Sequence, residues 1–67
     1  MNTKQALKQL KKGKKVKKTW WDDDEYIVSS DRVPPIGLEG FHNFIDNVGD
    51  LYTITPAMAD DEDWELA

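Results

Sequence analysis

The chain has 67 residues, no cysteine, one histidine and a formal net charge of −4 at pH 7. A chain of this length predicts a single domain, residues 1–67, and the lack of cysteine excludes disulfides and thiolate metal sites. Since His42 is the lone imidazole, we expect neither a zinc site nor a cofactor. Small domains without such supports often gain stability by self-association, so we expect a homo-oligomer, either a dimer or a tetramer.

The charges are segregated along the chain. Every lysine lies between Lys4 and Lys18, every acidic residue lies at Asp22 or beyond, and Arg32 is the one later cation. This pattern predicts a dipolar surface, and the overall acidity argues against binding of duplex nucleic acid. No apolar run approaches the roughly 20 residues that span a membrane. We therefore expect a soluble intracellular protein without a membrane partner.

The first predicted element is a helix of about three turns, because Ala6, Leu7 and Leu10 recur at helical spacing. Asn2 or Thr3 can cap this helix, and Asn2, followed three residues later by a glutamine, has the pattern of a capping box. Gly13 provides the left-handed residue that commonly ends a helix.

A strand is predicted for residues 14–21, with Val16 facing the core. Adjacent side chains of a strand point to opposite faces, so Trp20 and Trp21 place one ring on each face. One tryptophan is then expected in the core. The other faces solvent, a partner chain or a ligand, and the sequence does not say which tryptophan takes which place.

The rest of the chain alternates short strands with turns. In chain order we predict a turn at 22–24, a strand at 25–30, a loop at 32–40 containing Pro34 and Pro35, a strand or single helical turn at 41–46, a turn at 47–50, a strand at 51–55, a loop or one helical turn at 56–63, and a closing strand Trp64–Leu66. The predicted fold class is α+β, an N-terminal helix packed on a small antiparallel sheet of four or five strands.

The sequence offers little for catalysis. Serine occurs only at Ser29 and Ser30, and His42 is the one histidine available as a base. We therefore expect a protein that is not an enzyme. The acidic runs 22–25 and 60–63 lack the glycine-containing twelve-residue spacing of a calcium loop, so solvated turns are favoured and no metal site is expected.

Aromatic residues are the most informative class, with three tryptophans in the chain. In so small a core, one or two are expected as packing. A tryptophan beside lysines also suits a nucleotide pocket, where a ring stacks on a base and a cation contacts a phosphate. Both interpretations stay open for whichever of Trp20 and Trp21 faces outward.

Both ends of the chain resemble a known family, the second group of Thoeris anti-defence sponge proteins of phages. The residues similar to its N-terminal pattern "AL..L..GK.V.R..WN" are Ala6, Leu7, Leu10, Lys11, Gly13, Lys14, Lys15, Val16, Lys17, Lys18, Trp21 and Asp22. The residues similar to its closing "EDW" motif are Glu62, Asp63, Trp64 and Glu65, and Tyr52, Thr53, Pro56 and Ala57 weakly resemble the segment before it. The family's arginines fall on Lys17 and Lys18, and its asparagine falls on Asp22.

The resemblance implies a small α+β protein that assembles as a dimer or tetramer. It further implies binding of a cyclic nucleotide-type signal, such as a cyclised ADP-ribose or a cyclic oligonucleotide, which is sequestered in the host bacterial cytoplasm without cleavage. On this hypothesis Trp20 and Trp21 stack the base and Lys17 and Lys18 hold phosphates. Tyr26 and Asp22 contact sugar hydroxyls.

The alternative hypothesis is a protein-binding module. The acidic runs 22–25 and 60–63 suggest a small acidic inhibitor that blocks a host enzyme by mimicking the charge of nucleic acid. A stable host partner that is lost when these runs are neutralised would distinguish this function from sequestration of a small molecule.

Overall fold

The computed structural model describes residues 1–33 and 39–67. Its elements are helix α1 (Thr3–Lys11), strands β1 (Val16–Lys18), β2 (Ile27–Val28), β3 (His42–Asp46) and β4 (Leu51–Ile54), a 3₁₀ turn (Pro56–Met58) and strand β5 (Trp64–Leu66). The strands form one antiparallel sheet in the order β4-β3-β2-β1-β5. The predicted α+β class is confirmed. Pro34 and Pro35 of the predicted loop lie outside the described residues.

Helix α1 begins and ends as its capping residues predict. Oδ1 of Asn2 accepts from the backbone N–H of Gln5 at 2.8 Å, and Oε1 of Gln5 accepts from the backbone N–H of Asn2 at 2.9 Å. This capping box satisfies two of the free N–H groups of the first turn. At the other end, Gly13 has φ +80°, a conformation that favours glycine.

A tight hairpin joins β3 to β4. The backbone N–H of Asp46 donates to the carbonyl of Asp50 at 2.9 Å, and the N–H of Gly49 donates to the carbonyl of Asp46 at 3.1 Å. Gly49 has φ +88°, which fits a three-residue hairpin loop that ends in a left-handed residue. The turn predicted at 47–50 is confirmed, and the hairpin fixes the register of the sheet edge.

The strand predicted for residues 14–21 is wrong at both ends. β1 covers only Val16–Lys18, and the N–H of Trp21 donates to the carbonyl of Lys18 at 3.1 Å, closing a turn. The two tryptophans therefore lie in a turn, where the alternation of strand side chains does not apply. The strand predicted for 25–30 is also shorter, since β2 covers two residues.

The core lies between α1 and one face of the sheet. Its buried apolar side chains are Ala6, Leu10, Val16, Ile27, Phe44, Ile54 and Trp64. Trp64 is the largest of the fully buried residues, and its indole N–H donates to Oγ1 of Thr3 at 3.0 Å. A buried indole needs such a partner because an unpaired N–H would lose its hydrogen bonds to water.

The N-terminus is tied to β5. The terminal amino group of Met1 donates to the carbonyl of Trp64 at 2.6 Å, and the N–H of Trp64 donates to the carbonyl of Met1 at 3.2 Å. Oγ1 of Thr3 also donates to the carbonyl of Met58 at 2.5 Å. These bonds hold the segment before β5 against the start of α1, and they place its acidic residues beside the end of β1.

Candidate ligand-binding site

Lys18 is the central charged residue of the candidate site. Its side chain is buried, and Nζ lies 2.7 Å from Oδ2 of Asp61 and 2.6 Å from Oδ1 of Asp63. The same Nζ lies 4.3 Å from the ring centroid of Trp64, which is the cross-strand partner of Lys18. The ammonium group therefore has two carboxylates and an aromatic face as partners, an arrangement that offsets its burial.

The pKa values follow this geometry. Burial acts to lower the pKa of Lys18, but the hydrogen bonds and charges of Asp61 and Asp63 outweigh it, and the pKa of Lys18 is raised. The hydrogen bond from Lys18 holds the pKa of Asp63 below its usual value, and a second hydrogen bond from Trp20 acts in the same direction. The raised pKa of Lys18 and the lowered pKa of Asp63 keep this hydrogen-bonded pair charged at neutral pH.

Lys17 lies on the opposite face of β1. It is also buried, and its Nζ is 3.6 Å from Oε1 of Glu65 and 3.7 Å from Oδ1 of Asp23. Both distances exceed the hydrogen-bond range, so these contacts are weaker ion pairs. Asp23 is fully exposed to solvent. The ion pairs of Lys17 are therefore looser than the hydrogen-bonded ion pairs of Lys18.

Trp20 carries the exposed ring of the pair, with 71% of its surface accessible. Its Nε1–H donates to Oδ2 of Asp63 at 3.2 Å. Its ring meets that of Trp21 edge-on, with centroids 6.1 Å apart and an angle of 87° between planes. These two contacts orient the Trp20 indole while leaving most of it open to solvent.

Trp21 belongs to an aromatic cluster under Trp20. Its ring packs edge-to-face on Tyr52 at 5.5 Å and on Trp64 at 6.0 Å. Tyr52 and Trp64 pack on each other at 6.5 Å, and burial raises the pKa of Tyr52. Trp21 is therefore the tryptophan that faces the core, and the sequence alone had not assigned it.

Asp22 and Tyr26 lie on either side of the acidic turn. Asp22 is exposed, and its backbone N–H donates to Oε1 of Glu25 at 3.3 Å. The half-buried ring of Tyr26 has Nζ of Lys15 at 4.4 Å from its centroid. The structure thus brings Trp20, Trp21 and Lys18 into one cluster and gives Tyr26 a separate cation–π contact.

Asp61, Asp63 and Tyr52 belong to the cluster although no local sequence pattern marks them. Asp61 and Asp63 lie in a run that is expected to be a solvated acidic loop, yet both bind Lys18. The signal for them is the antiparallel pairing of β1 with β5, which sets Lys18 opposite Trp64 and so brings the basic and acidic runs together. That pairing is a long-range contact, and composition does not reveal it.

A groove of about 260 Å³ lies apart from this cluster, between α1 and β4. Its lining is mainly apolar, and its ionisable members are Lys4 and His42.

Among residues 1–33 and 39–67, no group of three or more His, Asp or Glu side chains is placed to hold a metal ion. None of the helices within these ranges has the length and apolarity to cross a membrane.

Comparison of the chain with protein-family models, with curated proteins and with solved structures found no match.

Proposed function

We propose that this protein is a non-catalytic binding protein that captures a cyclic nucleotide-type signal and holds it uncleaved. The observation that carries the proposal is the Trp20 indole, which is widely exposed yet oriented by Asp63 and Trp21. An aromatic side chain held in place loses little conformational freedom when a ring stacks on it. Base stacking on such a ring is worth roughly 1–3 kcal/mol.

Within this proposal the two neighbouring lysines have different functions. Lys18 holds the Trp20 indole in place through the carboxylate of Asp63, which both residues contact. Its two hydrogen-bonded carboxylates leave it poorly placed to bind a phosphate. Lys17 is the better phosphate ligand because its carboxylate partners stand beyond hydrogen-bond range. A phosphate at Lys17 would take the place of Asp23, whose exposed side chain is free to turn into solvent.

The remaining parts of the site suit sugar hydroxyls. The exposed carboxylate of Asp22 accepts hydrogen bonds from hydroxyl groups, and the phenol of Tyr26 both donates and accepts. A phage protein of this kind would act in the host bacterial cytoplasm, as a homo-oligomer, by lowering the free concentration of the signal. This is the anti-defence function that the resemblance to Thoeris sponge proteins implies.

The test is isothermal titration of the folded protein with cyclic ADP-ribose isomers and with cyclic di- and trinucleotides. We expect saturable binding of at least one of them. After binding, heat denaturation followed by chromatography should return the ligand intact. Absence of heat with every compound, on protein shown to be folded by circular dichroism, contradicts the proposal, and recovery of a cleaved product contradicts its non-catalytic part.

A second candidate function is inhibition of a host enzyme through an acidic surface. The observation that favours it is the exposure of Asp22, Asp23 and Asp24 in one turn beside Trp20. The run 60–63 contributes less, because the charge of Lys18 offsets part of the negative charge of Asp61 and Asp63. A stoichiometric host partner that is retained by the wild type and lost on replacing the three aspartates by asparagine would favour this function.

A further inference from the structure

Tyr26 lies beside two lysines on the face of the sheet that is turned away from α1. Nζ of Lys15 lies 4.4 Å from the centroid of the Tyr26 ring. The antiparallel register of β1 with β2 pairs Val16 with Ile27, two residues of the core. One residue further along this register, Lys17 lies across from Tyr26 on the opposite face.

Lys15 belongs to the same extended segment as Lys17. Its carbonyl accepts from the N–H of Ala67 at 3.0 Å, so the pairing of β1 with β5 continues to this residue. Side chains two residues apart in extended backbone lie on one face, roughly 6.6 Å apart along the strand. Lys15 and Lys17 therefore present two ammonium groups on one side of β1, with Tyr26 beside them.

The ammonium group of Lys17 is buried without a hydrogen bond. The side chain is 7% exposed, and within residues 1–33 and 39–67 its charged partners are Asp23 and Glu65, at 3.7 and 3.6 Å. A buried charged donor that lacks a hydrogen bond is costly, so an acceptor that reaches Nζ stabilises it. Lys17 therefore has donor capacity that the described part of the chain does not use.

Lys15 supplies the unbalanced positive charge of this face. Its side chain is exposed, and among the described residues it contacts the Tyr26 ring and has no carboxylate in salt-bridge range. The charge of Lys17, by contrast, is shared by two carboxylates. A cation–π contact favours one position of the Lys15 ammonium group and brings no negative group that would compete with an anion.

We infer that Lys15 is a second anion ligand beside Lys17, held in place by Tyr26, and that the two lysines form a subsite for a diphosphate group. Each ammonium group binds one phosphoryl group, and Asp23 turns into solvent when a phosphoryl group reaches Lys17. A diphosphate suits two such cations because its charged oxygens are spread over two directly joined phosphorus atoms. The inference deepens the proposed function and rests on it for the nucleotide to which the diphosphate belongs.

The probe is inorganic pyrophosphate, which presents a diphosphate without a base or a sugar. In a titration of the folded protein followed by amide-resolved NMR, the signals of Lys15, Lys17 and Tyr26 should shift and reach saturation. Inorganic phosphate at the same ionic strength should bind about tenfold more weakly, because it engages one ammonium group instead of two. Absence of saturable binding of pyrophosphate, or equal affinity for the two anions, overturns the inference.

Lys15→Met should raise the Kd for pyrophosphate about tenfold, the loss expected for one hydrogen bond between charged groups. The matched control is Lys14→Met, which removes the same charge from the adjacent exposed residue. Its Kd should stay within about twofold of the wild type, since salt screens exposed charges that do not contact the anion. Circular dichroism establishes that each variant is folded, and equal affinity of Lys15→Met and the wild type overturns the inference.

Two variants of Tyr26 test its positioning function. Tyr26→Leu removes the ring under Lys15 and should raise the Kd for pyrophosphate about two- to fivefold, the equivalent of an exposed cation–π contact. Tyr26→Phe keeps the ring and should bind pyrophosphate like the wild type. Wild-type affinity of Tyr26→Leu, or an equal loss in both variants, contradicts positioning of Lys15 by the ring.

The subsite and the proposed function fail in different experiments. Pyrophosphate binding that depends on Lys15, in a protein that binds no cyclic nucleotide, supports the subsite and contradicts the proposed function. A cyclic nucleotide that the wild type and Lys15→Met bind equally supports the proposed function and overturns the inference.

Discussion

Trp20 donates its indole N–H to Oδ2 of Asp63 at 3.2 Å, while Oδ1 of the same carboxylate accepts from Lys18 at 2.6 Å. One carboxylate thus links the exposed ring to the buried ammonium group. Because Lys18 also lies over the ring of Trp64, the exposed indole is connected to the core through three successive contacts, Trp20 to Asp63, Asp63 to Lys18 and Lys18 to Trp64. The orientation of Trp20 therefore depends on the integrity of the charged cluster.

Replacing Lys18 by methionine should lower the free energy of unfolding by about 2 kcal/mol, since Asp61 and Asp63 then face each other without a cation. The matched control is Lys17→Met, which removes a lysine of the same strand and similar burial. Its ion pairs lie beyond hydrogen-bond range, so its loss should stay below about 1 kcal/mol. Urea denaturation measures both values. Equal losses for the two variants would contradict the assignment of Lys18 as the structural lysine.

The charged cluster should also set the pH range of stability. The pKa of Asp63 is lower in the folded chain than its ordinary value of 3.8, so on acidification the unfolded chain binds that proton first. The stabilisation is complete above pH of about 4 and is lost as pH falls through the folded pKa. The pKa of Lys18 is raised above 10.5, so its contribution is complete below that pH and is lost as pH rises through the folded pKa.

Asp63→Asn tests this pH dependence. In urea denaturation across the acid range, the stability of the variant should fall less steeply with acid than that of the wild type. Asp60→Asn is the control, because Asp60 is an exposed aspartate of the same segment that makes no hydrogen bond to Lys18. If both variants keep the acid dependence of the wild type, Asp63 does not carry it.

Thr3→Val should destabilise the fold by about 1–3 kcal/mol, because the buried N–H of Trp64 loses its acceptor and the carbonyl of Met58 loses its donor. The change preserves side-chain shape, so the loss reports the hydrogen bonds rather than a cavity. Thr19→Val, at an exposed position, is the control and should change stability by less than about 0.5 kcal/mol. Thermal unfolding followed by circular dichroism compares the two.

Replacing Trp21 should lower the free energy of unfolding more than replacing Trp20, because Trp21 packs on the core and Trp20 is exposed. Trp21→Ala removes a ring packed on Tyr52 and Trp64 and should cost about 2 kcal/mol, less than a fully buried aromatic because Trp21 is partly exposed. Trp20→Ala removes one exposed hydrogen bond and should cost below about 1 kcal/mol. Similar losses in the free energy of unfolding for both variants would contradict the distinction between Trp21 as a core ring and Trp20 as an exposed ring.

Local signals in the sequence predicted much of the fold. The capping box at Asn2, the left-handed residue at Gly13 and the turn at 47–50 are read from neighbouring residues, and the structure has all three. The bounds of β1 could not be read in this way. Its end at Lys18 follows from a turn that Trp21 closes and from pairing with a segment 46 residues away, Lys18 with Trp64.

The candidate site was predictable only in part for the same reason. The sequence singled out Trp20 and Trp21, and the expectation that one ring faces outward is confirmed, although a turn rather than a strand produces it. It did not distinguish Lys17 from Lys18. Their different partners depend on which face of β1 each occupies and on the position of β5, and these are properties of the tertiary structure.

Calorimetric titration of three proteins with the tightest-binding cyclic nucleotide tests the central claim most directly. With wild type as reference, Trp20→Ala should raise Kd by about 5- to 150-fold, the equivalent of roughly 1–3 kcal/mol of stacking. Trp20→Phe, which keeps a flat ring, should retain most of the affinity. Equal affinity of the wild type and Trp20→Ala would contradict the claim that Trp20 is the stacking platform.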